Sequence, residues 1–384
     1  MHVYQFKTQW VQRWLWTGLF LLILTPGLIG CQQNEADSGE VDHQIRSLPE
    51  PMGFAFADDR ETTGGEGGEE VLATTGEELL EYATRDEPYI ISVADTIDII
   101  RGIGDFKETR GEYYIGSNTT IRGVTPNATI QYGGFRISEV ENVIIQNLNF
   151  DGTFSGFDPE LEDVDCEEIP EGRHRYKNGR CLEPGDRAPS DNALEVRDNS
   201  ENVWITQNSF KRYSDEIMSV KTQASFVTIS WNRFDDRGTG KDGMMILIGS
   251  SDNTTADRGR LKTTLHHNYM AARTRHPRTR FGEFHILNNY YHNVDHGIQS
   301  TMGAEILAEA NYFENVNHPW HIGYGDSDDG YLINKDNIFI ETDIPEAKGE
   351  LGSDVTSPGE YYDYSVDDPE EIPALILQYA GAGR

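Results

Sequence analysis

Between Arg273 and His292 the chain reads RTRHPRTRFGEFHILNNYYH. Four arginines, Arg273, Arg275, Arg278 and Arg280, fall within eight residues of a protein whose formal net charge is −33. The guanidinium fork matches the two oxygens of a carboxylate or phosphate, so clustered arginines beside a strand suit an anion site. A solvated basic loop making local salt bridges is the competing reading. Pro277 cannot donate to a sheet ladder, which places 273–282 on a strand edge or in a loop. Gly282 follows, then a strand-like run at 284–287 closed by Asn288 and Asn289.

The elements that present these arginines repeat along the chain. Short β-branched runs recur after residue 88 with no long helical pattern, at 90–93, 119–121, 129–131 and 142–150. From there one phrase returns: NVWITQNSF ending at Phe210, FVTISWNRF at Phe234, TTLHHNYM at Met270, HILNNYY at Tyr291, EILAEANYF at Phe313 and INKDNIF at Phe339. Each is a strand followed by Asn, one residue and an aromatic, with Met standing in once. The asparagines, Asn208, Asn232, Asn268, Asn289, Asn311 and Asn337, are 24, 36, 21, 22 and 26 residues apart. A period in the low twenties with an occasional insertion is the mark of a solenoid. Short strands joined by tight bends use that many residues per coil of a parallel β-helix. Asparagines at equivalent bends can then stack as a hydrogen-bonded ladder. The repeated phrase favours this over a β-sandwich of irregular spacing. GEELLEYAT at 76–84 has apolar residues at 79, 80 and 83 and reads as a short amphipathic helix, suited to capping the open end of the stack.

The ends and the composition bound the setting. Lys7 and Arg13 precede an apolar run at 15–24 that is short for a membrane span. It ends in Leu28, Ile29, Gly30 and Cys31, which resembles the bacterial lipoprotein cleavage box; an ordinary signal peptide is the alternative. Residues 1–30 are therefore expected to be removed, Cys31 to carry lipid, and the polar, acidic 31–50 to act as a tether. Loss of the segment and its two cations makes the chain two units more negative. That charge disfavours nucleic acid and anionic membrane surfaces as partners, leaving the lipid on Cys31 as the only membrane contact. Residues 51–384 suffice for one large all-β domain. An insertion at 151–189, rich in Gly, Pro and charge, holds Cys166 and Cys181, an even pair expected to be bonded in an exported protein.

The arginine stretch, through Arg275, Pro277, Arg278, Arg280, Gly282, His285, Asn288 and Asn289, resembles the pectate lyase family. VWITQNSF, FVTISWNRF, LIGSSD at 247–252 and the terminal IPALILQYAGAGR extend the resemblance over nearly the whole mature chain. It implies an all-β, right-handed parallel β-helix, single-stranded, with the N-terminal helix as its cap. It also implies a secreted or surface-anchored monomer that cleaves homogalacturonan, an acidic polysaccharide, by β-elimination. Arg275 falls at the family's base and Arg280 at its carboxylate-binding arginine. For Arg278 and His285 the plainer reading is a salt bridge and a hydrogen-bonded strand residue, with Arg278 also a candidate for substrate binding. Family members hold Ca²⁺ with acids from neighbouring turns, as suits hard oxygen ligands.

Here that carry-over is partial. The first acid falls at Asp191, or by a one-residue shift at Asn192; the next turn keeps Asp215 but has Ser219 for its second acid. Glu216 could compensate, although strand alternation turns it to the other face. The family's Asp-His after VWI is Thr206-Gln207, and its substrate lysine falls at Met244, with Lys241 nearby. The resemblance thus implies a Ca²⁺-assisted pectate lyase. Two other readings stay open: a lyase without tight Ca²⁺ or acting on methylated pectin or another uronate polymer, and a non-catalytic surface glycan-binding lipoprotein.

Overall fold

The computed structural model describes residues 51–85, 87–99, 112–131, 133–152, 192–213, 215–236 and 243–384. Asp191, Lys241, Cys31 and the Cys166–Cys181 pair lie outside them. Within them the chain winds as a right-handed parallel β-helix with three long sheets. One has ten strands, from Glu69–Ala73 to Tyr331–Lys335. A second has eight, from Glu112–Ile115 to His318–Ile322. The third has nine, from Thr96–Asp98 to Ile338–Ile340. Neighbours in each sheet are parallel, and from Glu112–Ile115 onward each coil contributes one strand to each sheet.

The Asn-aromatic phrase forms the inner corner of the coils. Asn208 Nδ2 donates to Asn232 Oδ1 at 3.1 Å, and the same bond runs from Asn232 to Asn268 at 3.1 Å, Asn268 to Asn289 at 2.9 Å, Asn289 to Asn311 at 3.0 Å and Asn311 to Asn337 at 2.9 Å. Each amide also donates to a backbone carbonyl of a neighbouring strand, so a buried polar corner is fully bonded. The aromatic residues stack inside this ladder: Phe150 on Phe210, Phe210 on Phe234, each with 5.0 Å between ring centres, then Met270, Tyr291, Phe313 and Phe339. The 36-residue step between Asn232 and Asn268 holds a 3₁₀ turn at Thr255–Asp257.

Helix α1, Gly76–Ala83, covers one end as expected. Thr75 caps it by accepting the Glu78 N–H at 3.2 Å, and the Glu78 carboxylate accepts the Thr74 N–H at 2.8 Å. Its Leu79 and Ala83 are fully buried. The outer face of the ten-stranded sheet is covered by both chain ends. Phe54 N donates to Thr264 Oγ1, Ala55 N to Thr228 Oγ1, and the Tyr362 hydroxyl reaches Thr264 and His285. His285 is thus a buried, hydrogen-bonded strand residue, its other nitrogen 3.2 Å from Glu309. Among the described residues no helix is long and apolar enough to cross a membrane.

Candidate active site

The arginines lie on and just ahead of a strand of the eight-stranded sheet. Strand Arg278–Arg280 pairs with Ile246–Ile248 on one side and His296–Thr301 on the other. It is an interior strand, which corrects the expectation of an edge: Pro277 sits just ahead of the ladder, and its carbonyl accepts Gln299 N–H at 2.9 Å. Thr279 is buried in the coil, so alternation sends Arg278 and Arg280 to the outer face together.

Arg275 differs from Arg280 in parity and would face away if the strand continued back to it. It does not continue. Arg275 has φ of 64°, a left-handed kink that re-aims the side chain, and the His276–Pro277 peptide is cis. The Arg275 guanidinium lies in direct contact with Glu216, with the side chains 20% and 11% exposed.

Each arginine has a different anchor. Arg280 is almost buried; its Nε donates to Asp252 Oδ1 at 2.6 Å and its Nη1 to the Gly249 carbonyl at 2.8 Å. Gly249 has φ of 85°, and a Cβ there would meet the Arg280 Cβ at 2.8 Å, so the close approach needs glycine. Arg278 donates to Ser327 Oγ at 3.2 Å, and Ser327 donates in turn to Asp252 Oδ2 at 2.8 Å. The Arg278 guanidinium also sits over the Tyr324 ring, 5.4 Å from its centre. Hydrogen bonds from Arg280, then Ser327, hold the Asp252 carboxyl below the usual carboxylate range against the opposing effect of burial.

Burial, then repulsion from Arg278 and Arg280, lowers the pKa of Arg275, while Asp215 opposes the shift. Arg278 is lowered by burial and by Arg280. His276, between them in sequence, is fully buried and pushed down to about 4 by burial; its Nδ1 lies 3.1 Å from the His296 carbonyl, a structural role.

The remaining expected residues separate clearly. Asp215 lies close enough to act electrostatically on Arg275. Ser219 faces outward between buried Met218 and Val220 and is 3.4 Å from Asn192 Nδ2. The register Leu194 to Met218, carried back two residues, sets Asn192 beside Glu216. Glu216 reaches the arginine side, contrary to the alternation argument, because it precedes strand Met218–Val220 and alternation does not govern it. Thr206 ends a strand of the ten-stranded sheet and Gln207 follows it, away from the strand of Arg278 and Arg280. Met244 pairs with Thr274 next to Arg275.

No group of three or more His, Cys, Asp or Glu side chains is arranged to hold a metal ion among the described residues. Oxygen donors are nonetheless present. Asn192 Oδ1 is buried with no hydrogen-bond partner among the described residues, the kind of acceptor a hard cation satisfies. Ser219 Oγ, 3.4 Å from Asn192 Nδ2, is a second neutral oxygen beside it.

Sequence reasoning missed Asp252, Ser327 and Tyr324. Asp252 stands in the LIGSSD segment, and nothing in its surroundings there pairs it with Arg280. It also missed a buried carboxylate, Glu195, on the same face, whose Oε2 is 2.7 Å from Arg136 Nε and 3.5 Å from Arg197, and which also contacts Lys221.

A right-handed parallel β-helix with an arginine-lined outer face defines the class. Comparison with known proteins gives the family. A pectate lyase family model matches residues 43–383. The pectate trisaccharide-lyase of Thermotoga maritima is 30% identical over 373 residues, covering 87% of this chain and 89% of that protein. The pectate trisaccharide-lyase of Bacillus licheniformis is 29% identical, covering 95% and 96%. The crystal structure of a Bacillus sp. N165 pectate lyase in complex with trigalacturonate superposes with a TM-score of 0.63 at 26% identity, covering 87% of this chain and 99% of that one. The chain belongs to the pectate lyase family.

Proposed function

We propose that the protein is an exported lyase that cleaves (1→4)-α-D-galacturonan by β-elimination at the arginine face, with Arg275 as base. One observation carries the reading: Arg275 is partly buried on the same face as two further arginines, and burial and their repulsion both lower its pKa. Ordinary arginine is protonated at every physiological pH and cannot accept a proton. A guanidinium desolvated beside like charges is the exception that base chemistry requires.

The reaction moves the C5 proton of a galacturonate unit to a nitrogen of Arg275. The C5–H electron pair becomes the C4–C5 double bond, the C4–O4 bond breaks, and the leaving O4 takes a proton from solvent. Arg280 and Arg278 receive the uronate carboxylate, where negative charge grows as C5 is deprotonated. Lys241 would add a cation at the same carboxylate. Glu216 holds Arg275 in its charged form in the free protein, so substrate entry must loosen that pair before the proton can move.

Asp191 and Asp215, with Asn192 Oδ1, would hold Ca²⁺, which supplies neutralisation of the substrate carboxylate and acidifies C5. The neutral Asn192 and Ser219 favour weak binding and keep a second reading in play, a lyase active without tightly held Ca²⁺ on partly methylated pectin. Attachment of the exported protein through lipid on Cys31 belongs to the same proposal.

The test follows ultraviolet absorbance of the conjugated unsaturated uronate. Polygalacturonate and methylated pectin are each assayed with Ca²⁺ and with chelator. Product from polygalacturonate is expected, with the higher rate in Ca²⁺. No unsaturated product from either polymer would sink the lyase reading.

A further inference from the structure

Arg275 holds a backbone conformation that few residues with a Cβ adopt, with φ of 64°. Such a residue persists only where its surroundings over-determine it. The coil before supplies one side of the hold: Met245 N donates to the Thr274 carbonyl at 3.1 Å and Ile246 N to the Arg275 carbonyl at 2.9 Å. Strand His296–Thr301 supplies the other. His276 N donates to the Gly297 carbonyl at 3.1 Å, and Gln299 Nε2 donates to Thr274 Oγ1 at 3.0 Å. Residues 274 and 276 are thus both tied to one strand, with the kink between them. Of these four bonds, the one from Gln299 to Thr274 joins two side chains, so substitution removes it without touching the backbone.

Gln299 is placed unlike an ordinary core residue. Register sets it beside Arg278, on the outer face, yet it is fully buried. Its Oε1 is buried with no hydrogen-bond partner among the described residues, and so is the Nε of Arg278 one strand away. A half-satisfied buried amide costs free energy that an apolar side chain of similar size does not. What the amide supplies in return is placement: its nitrogen fixes the residue immediately before Arg275.

We propose that Gln299 is a positioning residue for the elimination: through Thr274 it holds the kink that aims Arg275. Being fully buried, it acts through Thr274 and not on the substrate. This rests on the lyase reading with Arg275 as base. The guanidinium stands at the end of a long side chain, so a small backbone rotation at Arg275 carries it far, and a misplacement of about 1 Å can cost about 10²-fold in rate. Arg278 and Arg280 have their own anchors in Ser327, Asp252 and Gly249, so capture of the uronate carboxylate does not depend on the Gln299–Thr274 bond.

The experiment measures kcat and KM on polygalacturonate at saturating Ca²⁺ for wild type, Thr274→Val, Thr274→Ser, Gln299→Leu and the double variant Thr274→Val with Gln299→Leu. Valine keeps the branched shape and deletes the hydroxyl, whereas serine keeps the hydroxyl. In Thr274→Val and in Gln299→Leu, kcat should fall about tenfold with KM within about twofold of wild type. Thr274→Ser should keep kcat within about threefold of wild type, and the double variant should lose no more than the worse single, since both changes remove one bond. Equal losses in Thr274→Ser and Thr274→Val, losses that multiply in the double variant, a rise in KM alone, or unchanged kcat in both single variants would overturn the proposal. Thr274 is only half-buried, so the Thr274→Val and Thr274→Ser pair decides the matter if Gln299→Leu does not fold. If wild type forms no unsaturated product, the lyase reading fails separately. Crystal structures then decide the placement: Arg275 turned out of its contact with Glu216 in Thr274→Val supports it, and an unmoved Arg275 overturns it.

Discussion

Glu216→Gln tests the proposed base through its own charge environment. Glu216 touches the Arg275 guanidinium, and the two side chains are 11% and 20% exposed. A carboxylate in that position favours protonated Arg275, so its removal lowers the arginine pKa further. At about 4 Å and an effective dielectric near 20, the pair is worth about 4 kcal/mol. At about 1.36 kcal/mol per pH unit that corresponds to roughly three units as an upper limit. Partial exposure reduces it to about one to two units. The neutral base then exists at lower pH, so the rising limb of kcat/KM against pH should move about one to two units toward acid. The assay is the initial rate of unsaturated uronate formation from polygalacturonate at saturating Ca²⁺, across pH. A limb that stays in place, or moves toward alkaline pH, refutes Arg275 as the base. Arg275→Lys complements the test: kcat should fall by roughly 10² to 10⁴ with KM nearly unchanged, since a base acts in the transition state.

Arg280→Ala removes two hydrogen bonds and a buried cation and should raise KM about 10- to 100-fold, read from saturation curves on polygalacturonate. Thorough chelation should lower the rate at least about tenfold, and titration of Ca²⁺ should restore it with weak affinity, because few acids of the chain are available to the ion. Asn232→Ala deletes a buried ladder amide and leaves Asn208 without its acceptor; it should cost about 2–4 kcal/mol in denaturant unfolding. Burial would raise the Glu309 carboxyl, but His285 and Lys335 hold it down at about 2, below the ordinary 4.5. A depressed acid stabilises the fold fully above its unfolded pKa, and the contribution is lost as pH falls from about 4.5 through about 2. That window should carry about 2–3 kcal/mol of acid sensitivity, absent in Glu309→Gln when unfolding is followed by circular dichroism.

The solenoid was legible because a ladder forces the same residue into every coil. Asn208, Asn232, Asn268, Asn289, Asn311 and Asn337 must each bond the next, so the period is written into the chain. The aromatic two residues on is constrained in the same way, by stacking on its neighbours. Helix α1 was legible from a local signal alone, the amphipathic stripe at residues 79, 80 and 83. The arginine motif was legible as a motif, since four arginines in eight residues stand out in an acidic protein.

What surrounds those arginines was not legible. Pro277 suggested an edge, yet the strand it introduces is interior, because the missing N–H falls one residue before the ladder begins. Alternation misdirected Glu216 because the rule holds only inside a strand, and Glu216 precedes one. The pairs that set charge at the site are remote in sequence. Arg275 and Glu216 are 59 residues apart, Arg280 and Asp252 are 28, and Ser327 and Asp252 are 75. Periodic local constraints repeat in every coil and show in the chain. Contacts between coils depend on register and on loop paths, so only the wound structure decides which acid meets which arginine.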